Sequence, residues 1–360
     1  MARAVLRIVG DSKALRKSLD SAKDDIDRFK KQNRASRAIG SAGAGIGAST
    51  GLGALGVGLG RSLGSINAGL AVTTGSLLAF GGTIKSVYDE FRQFEKGWAE
   101  VTTLLPQLTQ AATDQMSDEV REFAKNTGVH ISDAIRASYQ AISASIPHDE
   151  LVGFLEDTRT ASLAGVTDLT TAIDITTSVL NAYSMSARDA ERVNDTLFTA
   201  VRWGKTTYEE LAVALGKVLP LSSHLGISIN QMTASVSALT AQGLSTADAV
   251  TAVRSALTAF AKDTTARDIL EHLVGDITEY FRGGGDIQEA FTLIVEYAEE
   301  MGLSIQNVFG RIEGAIAATG LVGEQSAEIY KKALNIQIGE AEIAAEKMRQ
   351  IDQYKFDVHQ

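Results

Sequence analysis

The chain contains no cysteine. Disulfides, thiolate metal centres and a cysteine nucleophile are therefore excluded. Only three prolines occur, Pro106, Pro147 and Pro220. So few breakers favour helical runs over a strand-rich architecture. Aromatic residues make up 6% of the chain against 44% apolar residues in all, so the core material is mostly Ala, Leu, Val and Ile. The five histidines, His130, His148, His224, His272 and His359, form no H-E-x-x-H or H-x-H spacing. No G-x-S-x-G elbow is present. Carboxylate pairs such as Glu209-Glu210 and Glu299-Glu300 fall in helical charge runs, which are usually solvated faces. No catalytic residue, metal ligand or cofactor is indicated by these patterns, and none is expected.

Charge is scarce in one place. Between Ala38 and Ile84 the only charged residue is Arg61. The same stretch holds fourteen of the 33 glycines. A glycine costs a helix about 1 kcal/mol relative to alanine, so such a helix does not persist alone in water. It persists where helices approach closely. Gly43, Gly47 and Gly51, then Gly56, Gly60 and Gly64, form two small-xxx-small runs that suit close packing or a membrane. About 20 apolar residues span a bilayer, and Arg61 opposes this at roughly 2.5–3.5 kcal/mol. A flexible glycine linker is the third reading of the stretch. The formal G-x-G-x-x-G at Gly51–Gly56 follows no strand and lacks the acidic partner of a dinucleotide site. A secretory signal does not fit, because the apolar region starts too late and runs too long.

Residues 1–37 carry an excess of Lys and Arg, whereas the whole chain has a net charge of −10. The body is acidic, which argues against specific nucleic-acid binding. Arg3–Val9 alternates and reads as one short strand, followed by Gly10-Asp11 and a helix through Leu15, Leu19, Ala22, Ile26 and Phe29. After the glycine-rich stretch, Leu77, Phe80, Ile84, Val87, Phe91, Phe94, Trp98, Val101 and Leu105 recur at alternating spacings of three and four. That is a coiled-coil seam, and its bulky residues suit a trimer or higher homo-oligomer. Pro106 ends this helix near Leu104.

From about Ala111 the spacing predicts a series of short helices with capping signals at Thr207/Glu210, Ser228/Gln231, Asp286/Glu289, Ser186/Asp189 and Ser245/Asp248. Gly128, Gly165, Gly204, Gly243, Gly302 and Gly320 mark predicted helix ends. Apolar stripes run through Ile131, Ile135, Tyr139, Ile142 and Ile146, through Ala190, Val193, Leu197 and Ala200, and through Ala249, Val253, Leu257 and Phe260. One corner recurs at Gly128, Gly226 and Gly302: glycine, apolar, polar, Ile, polar. It predicts a glycine C-cap, an apolar residue packing back, and a new helix. From Glu324 to about Tyr354, Tyr330, Leu334, Ala341, Ala344, Met348 and Ile351 predict one final helix without a stop signal.

Residues 91–321 resemble the core region of phage tail tape-measure proteins. The resemblance is carried by an ordered series: FRQFEKGWAEV at 91–101, FAKNTG at 123–128, ASLAG at 161–165, LNAY at 180–183, AERVND at 190–195, ELA at 210–212, LGKVLP at 215–220, GIS at 226–228, AQG at 241–243, and 249–257. The strand-helix head is similar to the N-termini of that family. Gly128, Gly165, Gly226, Gly243 and Gly302 are the family-like corners.

The expected fold is therefore all-α, with the short N-terminal strand as an addition. The expected organisation is a basic strand-helix unit (1–37), a glycine- and alanine-rich apolar segment (38–84), a helical tape-measure core (85–323) and an extended C-terminal helix (324–360). The resemblance implies a non-enzymatic virion protein that oligomerises inside the tail tube, templates tail length and leaves during genome ejection. It also implies tail-tube, tail-tip or baseplate proteins and tail-assembly chaperones as partners. Localisation would be the tail lumen, after assembly in the host cytoplasm, with the host membrane engaged during ejection. The alternative is a membrane-active helical protein, pore-forming or anchored. Tape-measure proteins are usually much longer: at 1.5 Å per residue this chain reaches only about 540 Å as one helix. The chain is then expected to be a fragment, one part of a tape, or a protein of a short-tailed or tail-like particle, and the unterminated last helix favours the first two.

Overall fold

The computed structural model describes residues 92–336 and 339–358 of the chain. Among the described residues every regular element is helical, so the all-α expectation holds. The strand expected at Arg3–Val9 lies outside the described residues. Residues 92–103 are helical, and the chain turns at Leu104 ahead of Pro106. The helices that follow are α1 (Gln110–Thr127), α2 (Ile131–Ser143), α3 (Leu151–Ala164), α4 (Leu169–Ala182) and, after a 3-10 turn at Ala187–Asp189, α5 (Ala190–Trp203). Then come α6 (Tyr208–Leu215), α7 (Leu219–Leu225), α8 (Ile229–Ala241), α9 (Thr246–Ala261), α10 (Thr265–Val274) and α11 (Ile277–Arg282). The last are α12 (Ile287–Glu300), α13 (Ile305–Phe309), α14 (Ile312–Val322), α15 (Glu324–Leu334) and α16 (Glu340–Val358). Residues 97–360 form one unit.

Local chemistry sets where these helices start. The Glu210 N–H donates to Thr207 Oγ1 at 3.2 Å, and the Gln231 N–H to Ser228 Oγ at 3.2 Å. Asp286 Oδ1 accepts from the N–H groups of Gln288 and Glu289 at 2.8 and 3.1 Å. Ser245 caps α9 at Asp248, and Ser186 with Asp189 closes a capping box. All five capping pairs expected from sequence are made. Each such cap contributes about 0.5–2 kcal/mol.

The helices end in a repeated corner. Gly128, Gly226 and Gly302 all take positive φ, at 69°, 85° and 67°. In each case the residue two further on precedes the next helix, so α2, α8 and α13 start at Ile131, Ile229 and Ile305. The Ile227 and Leu303 N–H groups bond back to the Ser222 and Ala298 carbonyls at 2.9 and 2.7 Å. This six-to-one bond, with a left-handed residue before it, is a Schellman closure.

Three further closures use no glycine at the left-handed position. Ser145, Val166 and Ser184 have φ of 72°, 53° and 51°. The N–H groups of Ile146, Thr167 and Met185 make the matching bonds, to Ala141, Ser162 and Leu180. Gly165 therefore ends α3 as expected, but Val166 and not Gly165 is the left-handed residue. Gly165 serves another purpose: a Cβ there would lie 2.1 Å from Cδ2 of the buried Tyr208 ring.

α8 lies at the centre of the fold. It packs against α5, α9, α14 and α15, and every side chain from Met232 to Thr240 is buried. Many of these side chains are small. The hydroxyls of Thr233, Ser237 and Thr240 donate to their own helix carbonyls four residues back, at 2.9 Å. Burial thus leaves them bonded. On the far side, α9 meets α10 and α14. Phe260 there packs with Phe281, Phe291 and Phe309 at ring separations of 6.4, 5.6 and 6.2 Å. The stripes expected on α5 and α9 are buried throughout.

Three expectations are corrected. The expected α2 stripe is buried at Ile135, Ile142 and Ile146, but Tyr139 is exposed, and Ala134, Ala137 and Ala141 are buried beside it. The smaller side chains face the neighbouring helices there. Gly320 is not a helix end but lies inside α14, where a Cβ would meet Leu239 Cδ2 of α8 at 2.7 Å. It permits close helix approach. The C-terminal run is two helices, α15 and α16, with Gly339 at φ 87° between them. Its expected stripe is rotated within α16, where Ala341 and Ala345 are buried and Ala344 is only half-buried. The break has a partner far away in sequence, Asp195 on α5.

Candidate functional site

Two neighbouring polar residues on α5 join much of the body. Both belong to the A-E-R-V-N-D run at 190–195. Asn194 is 2% exposed. Its Oδ1 lies 2.7 Å from Thr176 Oγ1 on α4, and its Nδ2 donates to the Asp157 carbonyl on α3 at 3.2 Å. Its own carbonyl accepts from the Tyr208 hydroxyl on α6 at 3.1 Å. Burial pushes that phenol well above the ordinary tyrosine range, which keeps it a donor.

Asp195 is 1% exposed and serves the opposite side. Its Oδ2 accepts from the Gly339 N–H at 2.7 Å and its Oδ1 from the Ala341 N–H at 2.9 Å. Both donors lie at the start of α16. A helix start exposes unpaired N–H groups and a partial positive charge. The carboxylate of α5 satisfies both, so α16 is capped from another helix. Arg202 then bonds Glu340 at 2.7 Å. On α3, Thr160 Oγ1 donates to Glu342 at 3.0 Å.

Beside this clamp, α3, α5 and the first turn of α16 surround a cleft of 250 Å³. Asp157, Glu191, Asp195 and Glu342 line it. Asp157 is pushed up to about 6, first by burial and then by Glu191, Glu156, Asp195 and Glu342. Among the described residues no group of three or more His, Asp or Glu could hold a metal ion.

Other polar residues in the sequence series also join helices. Asn181 Nδ2 donates to the Ala144 carbonyl at 3.2 Å. The Tyr183 hydroxyl pairs with Ser222 Oγ at 2.8 Å, and burial raises Tyr183 to about 12. Gln242 Nε2 reaches the Gly320 carbonyl at 2.7 Å and Ser326 Oγ at 2.6 Å, joining α8 to α14 and α15. No periodicity announces these bonds.

The sequence-predicted site residues fare differently. Of the seam, Leu77, Phe80, Ile84, Val87 and Phe91 lie outside the described residues, as do Gly43, Gly47, Gly51, Gly56, Gly60 and Gly64. Phe94, Trp98 and Val101 are buried and Leu105 is half-buried. A Cβ at Gly97 would meet Ile135 at 3.0 Å, so this helix lies close against α2. Gly128, Gly165, Gly226, Gly243 and Gly302 all stand at helix ends, and all but Gly165 have positive φ. Sequence periodicity missed an exposed pair on α14, Ile312 and Ile316. Among the described residues no helix is long and apolar enough to cross a membrane. The stretch expected to do so, 38–84, lies outside them.

Comparison with known proteins adds two findings. Residues 117–283 match a family described as "Phage-related minor tail protein". The chain is also 30% identical over 283 residues to the "Probable tape measure protein" of Clostridium phage phiCD119. That alignment covers 75% of this chain and 30% of the phage protein, so the chain spans under a third of that relative's length. No solved structure matches.

Proposed function

We propose, on the premise that this chain belongs to the tape-measure proteins of phage tails, that it is a structural, non-enzymatic component of a tail. In this reading it oligomerises inside the tail tube, templates tail length and is released during genome ejection. Its partners are other copies, the tube protein, tip or baseplate proteins and tail-assembly chaperones. The observation that carries the reading is the similarity to a probable tape measure protein along 75% of the chain.

The folded body bears on how length would be set. A unit of roughly 260 residues has a radius of gyration of about 18 Å. The same residues in one helix would extend about 390 Å. A ruler that keeps residues 97–360 folded must draw its length from other residues. We assign the folded body to assembly contacts and the measuring role to extended helix outside it. Trp98 and Val101 are covered within this chain, so the oligomer seam falls to Leu77 through Phe91. Exposed Ile312 and Ile316 offer the body a contact of its own.

An insertion tests the measuring role. Forty helix-forming residues placed after α16 in the tail-encoding genome should lengthen tails by about 60 Å, measured by electron microscopy. Unchanged tail length would refute it. Light scattering tests the seam: a monomer at tens of micromolar, or unchanged assembly after Gly56, Gly60 and Gly64 are replaced by Leu, would refute close packing.

A further inference from the structure

The cleft beside Asp195 carries an inference separate from tail assembly. Two features meet at the start of α16. One holds the helix in place: Asp195 accepts from the Gly339 and Ala341 N–H groups at 2.7 and 2.9 Å, and Arg202 holds Glu340 at 2.7 Å. The other opposes it: seating α16 closes a cleft already lined by Asp157, Glu191 and Asp195 and adds Glu342 to it.

We propose that α16 is a pH-sensitive latch, seated on α3 and α5 more tightly in mild acid than at neutral pH.

The charges on each packed element fit this assignment. On α3 they are Glu156, Asp157 and Arg159; Arg159 Nη1 reaches Ser162 Oγ at 3.3 Å. On α5 they are Glu191, Arg192, Asp195 and Arg202. Arg192 bonds Asp189 at 3.1 Å, and Arg202 is held by Glu340. On α16 they are Glu340, Glu342, Glu346, Lys347 and Arg349. Arg349 bonds Glu342 and Glu346 at 2.8 and 3.3 Å. Burial acts most strongly on Asp157, and the charges that add to it, on Glu191, Glu156, Asp195 and Glu342, are carboxylates.

The sign follows from linkage. With α16 seated, Asp157 titrates near 6 against the ordinary 3.8. With α16 released, Asp157 loses the Glu342 neighbour and part of its burial, and its affinity for a proton falls. A group that binds protons more strongly in the seated state favours that state as pH falls through 6. Above pH 6 the Asp157 charge opposes seating. Between pH 7.5 and pH 5 the seating equilibrium shifts by at most about tenfold, and solvent screening reduces this.

Hydrogen exchange on the full chain tests the latch. Amide protection in α16, corrected for intrinsic exchange rates, is compared at pH 5 and pH 7.5. The α9 amides serve as the reference for global opening. The expected result is several-fold higher protection of α16 at pH 5, with α9 unchanged. Asp157→Asn should abolish the difference and leave α16 at pH 7.5 as protected as the unmodified chain at pH 5. Asp157→Ser should give the same flat response. Asp195→Ala should expose α16 at both pH values while α9 stays protected. Equal α16 protection at the two pH values, or a pH response retained in Asp157→Asn, would overturn the proposal. A failed tail-length test would leave this result untouched.

Discussion

Replacing Val166 by glycine should stabilise the protein. Val166 is β-branched, sits at φ 53° and is 73% exposed. A left-handed conformation costs an L-residue roughly 1–2 kcal/mol. Glycine relieves that cost but loosens the unfolded chain, which offsets roughly 0.5–1 kcal/mol. Little packing is lost, because the side chain faces solvent. The net gain is up to about 1.5 kcal/mol, or up to about 6 °C in Tm for a body of this size. Urea and thermal unfolding followed by far-ultraviolet circular dichroism measure it. Two other changes at helix ends have the opposite sign. Gly165→Ala drives a methyl into the Tyr208 ring at 2.1 Å and should cost about 1–3 kcal/mol. Gly226→Ala meets φ 85° and Arg282 Cγ at 2.6 Å and should cost about 1–2 kcal/mol. If Val166→Gly lowers stability while Gly165→Ala leaves it unchanged, the assignment of strain to Val166 and of close approach to Gly165 is wrong.

Other perturbations follow from the packing. Tyr208→Phe removes the bond to the Asn194 carbonyl and should cost about 0.5–1.5 kcal/mol by urea unfolding. Phe260→Ala empties the centre of a four-ring cluster and should cost about 3–5 kcal/mol by the same measure. Gly320→Val presses on Leu239 and should cost about 1–3 kcal/mol by urea unfolding. Dye release from liposomes should fall when residues 38–84 are deleted if that stretch enters membranes, and unchanged leakage removes the membrane role.

What was legible in the sequence is what is decided within a few residues. Thr207 finds its partner three positions on, and Gly128 needs only its own φ. Such features leave a mark in the local pattern, and so do the buried stripes of α5 and α9. What was not legible depends on a partner far along the chain. Gly165 answers to Tyr208, and Gly320 to Leu239. The start of α16 answers to Asp195, more than 140 positions earlier. On periodicity alone the run from Glu324 reads as a single helix, because the carboxylate that caps its second half is invisible to any local window. The same holds for Asn194: its run carries part of the family resemblance, but its bonds to three other helices are a property of the folded body.

The cap on α16 also decides how the body would yield under load. Traction on the chain from its C-terminal side would reach α16 first. It runs over 19 residues, Glu340–Val358, so the load would travel along the helix toward Glu340. The Asp195 and Arg202 bonds come last in that sequence and would resist together. Beyond them, α15 is seated on α8 at the centre of the body. The folded unit is thus arranged as a mechanical joint, with one firm stop at the start of α16 and a packed interior behind it.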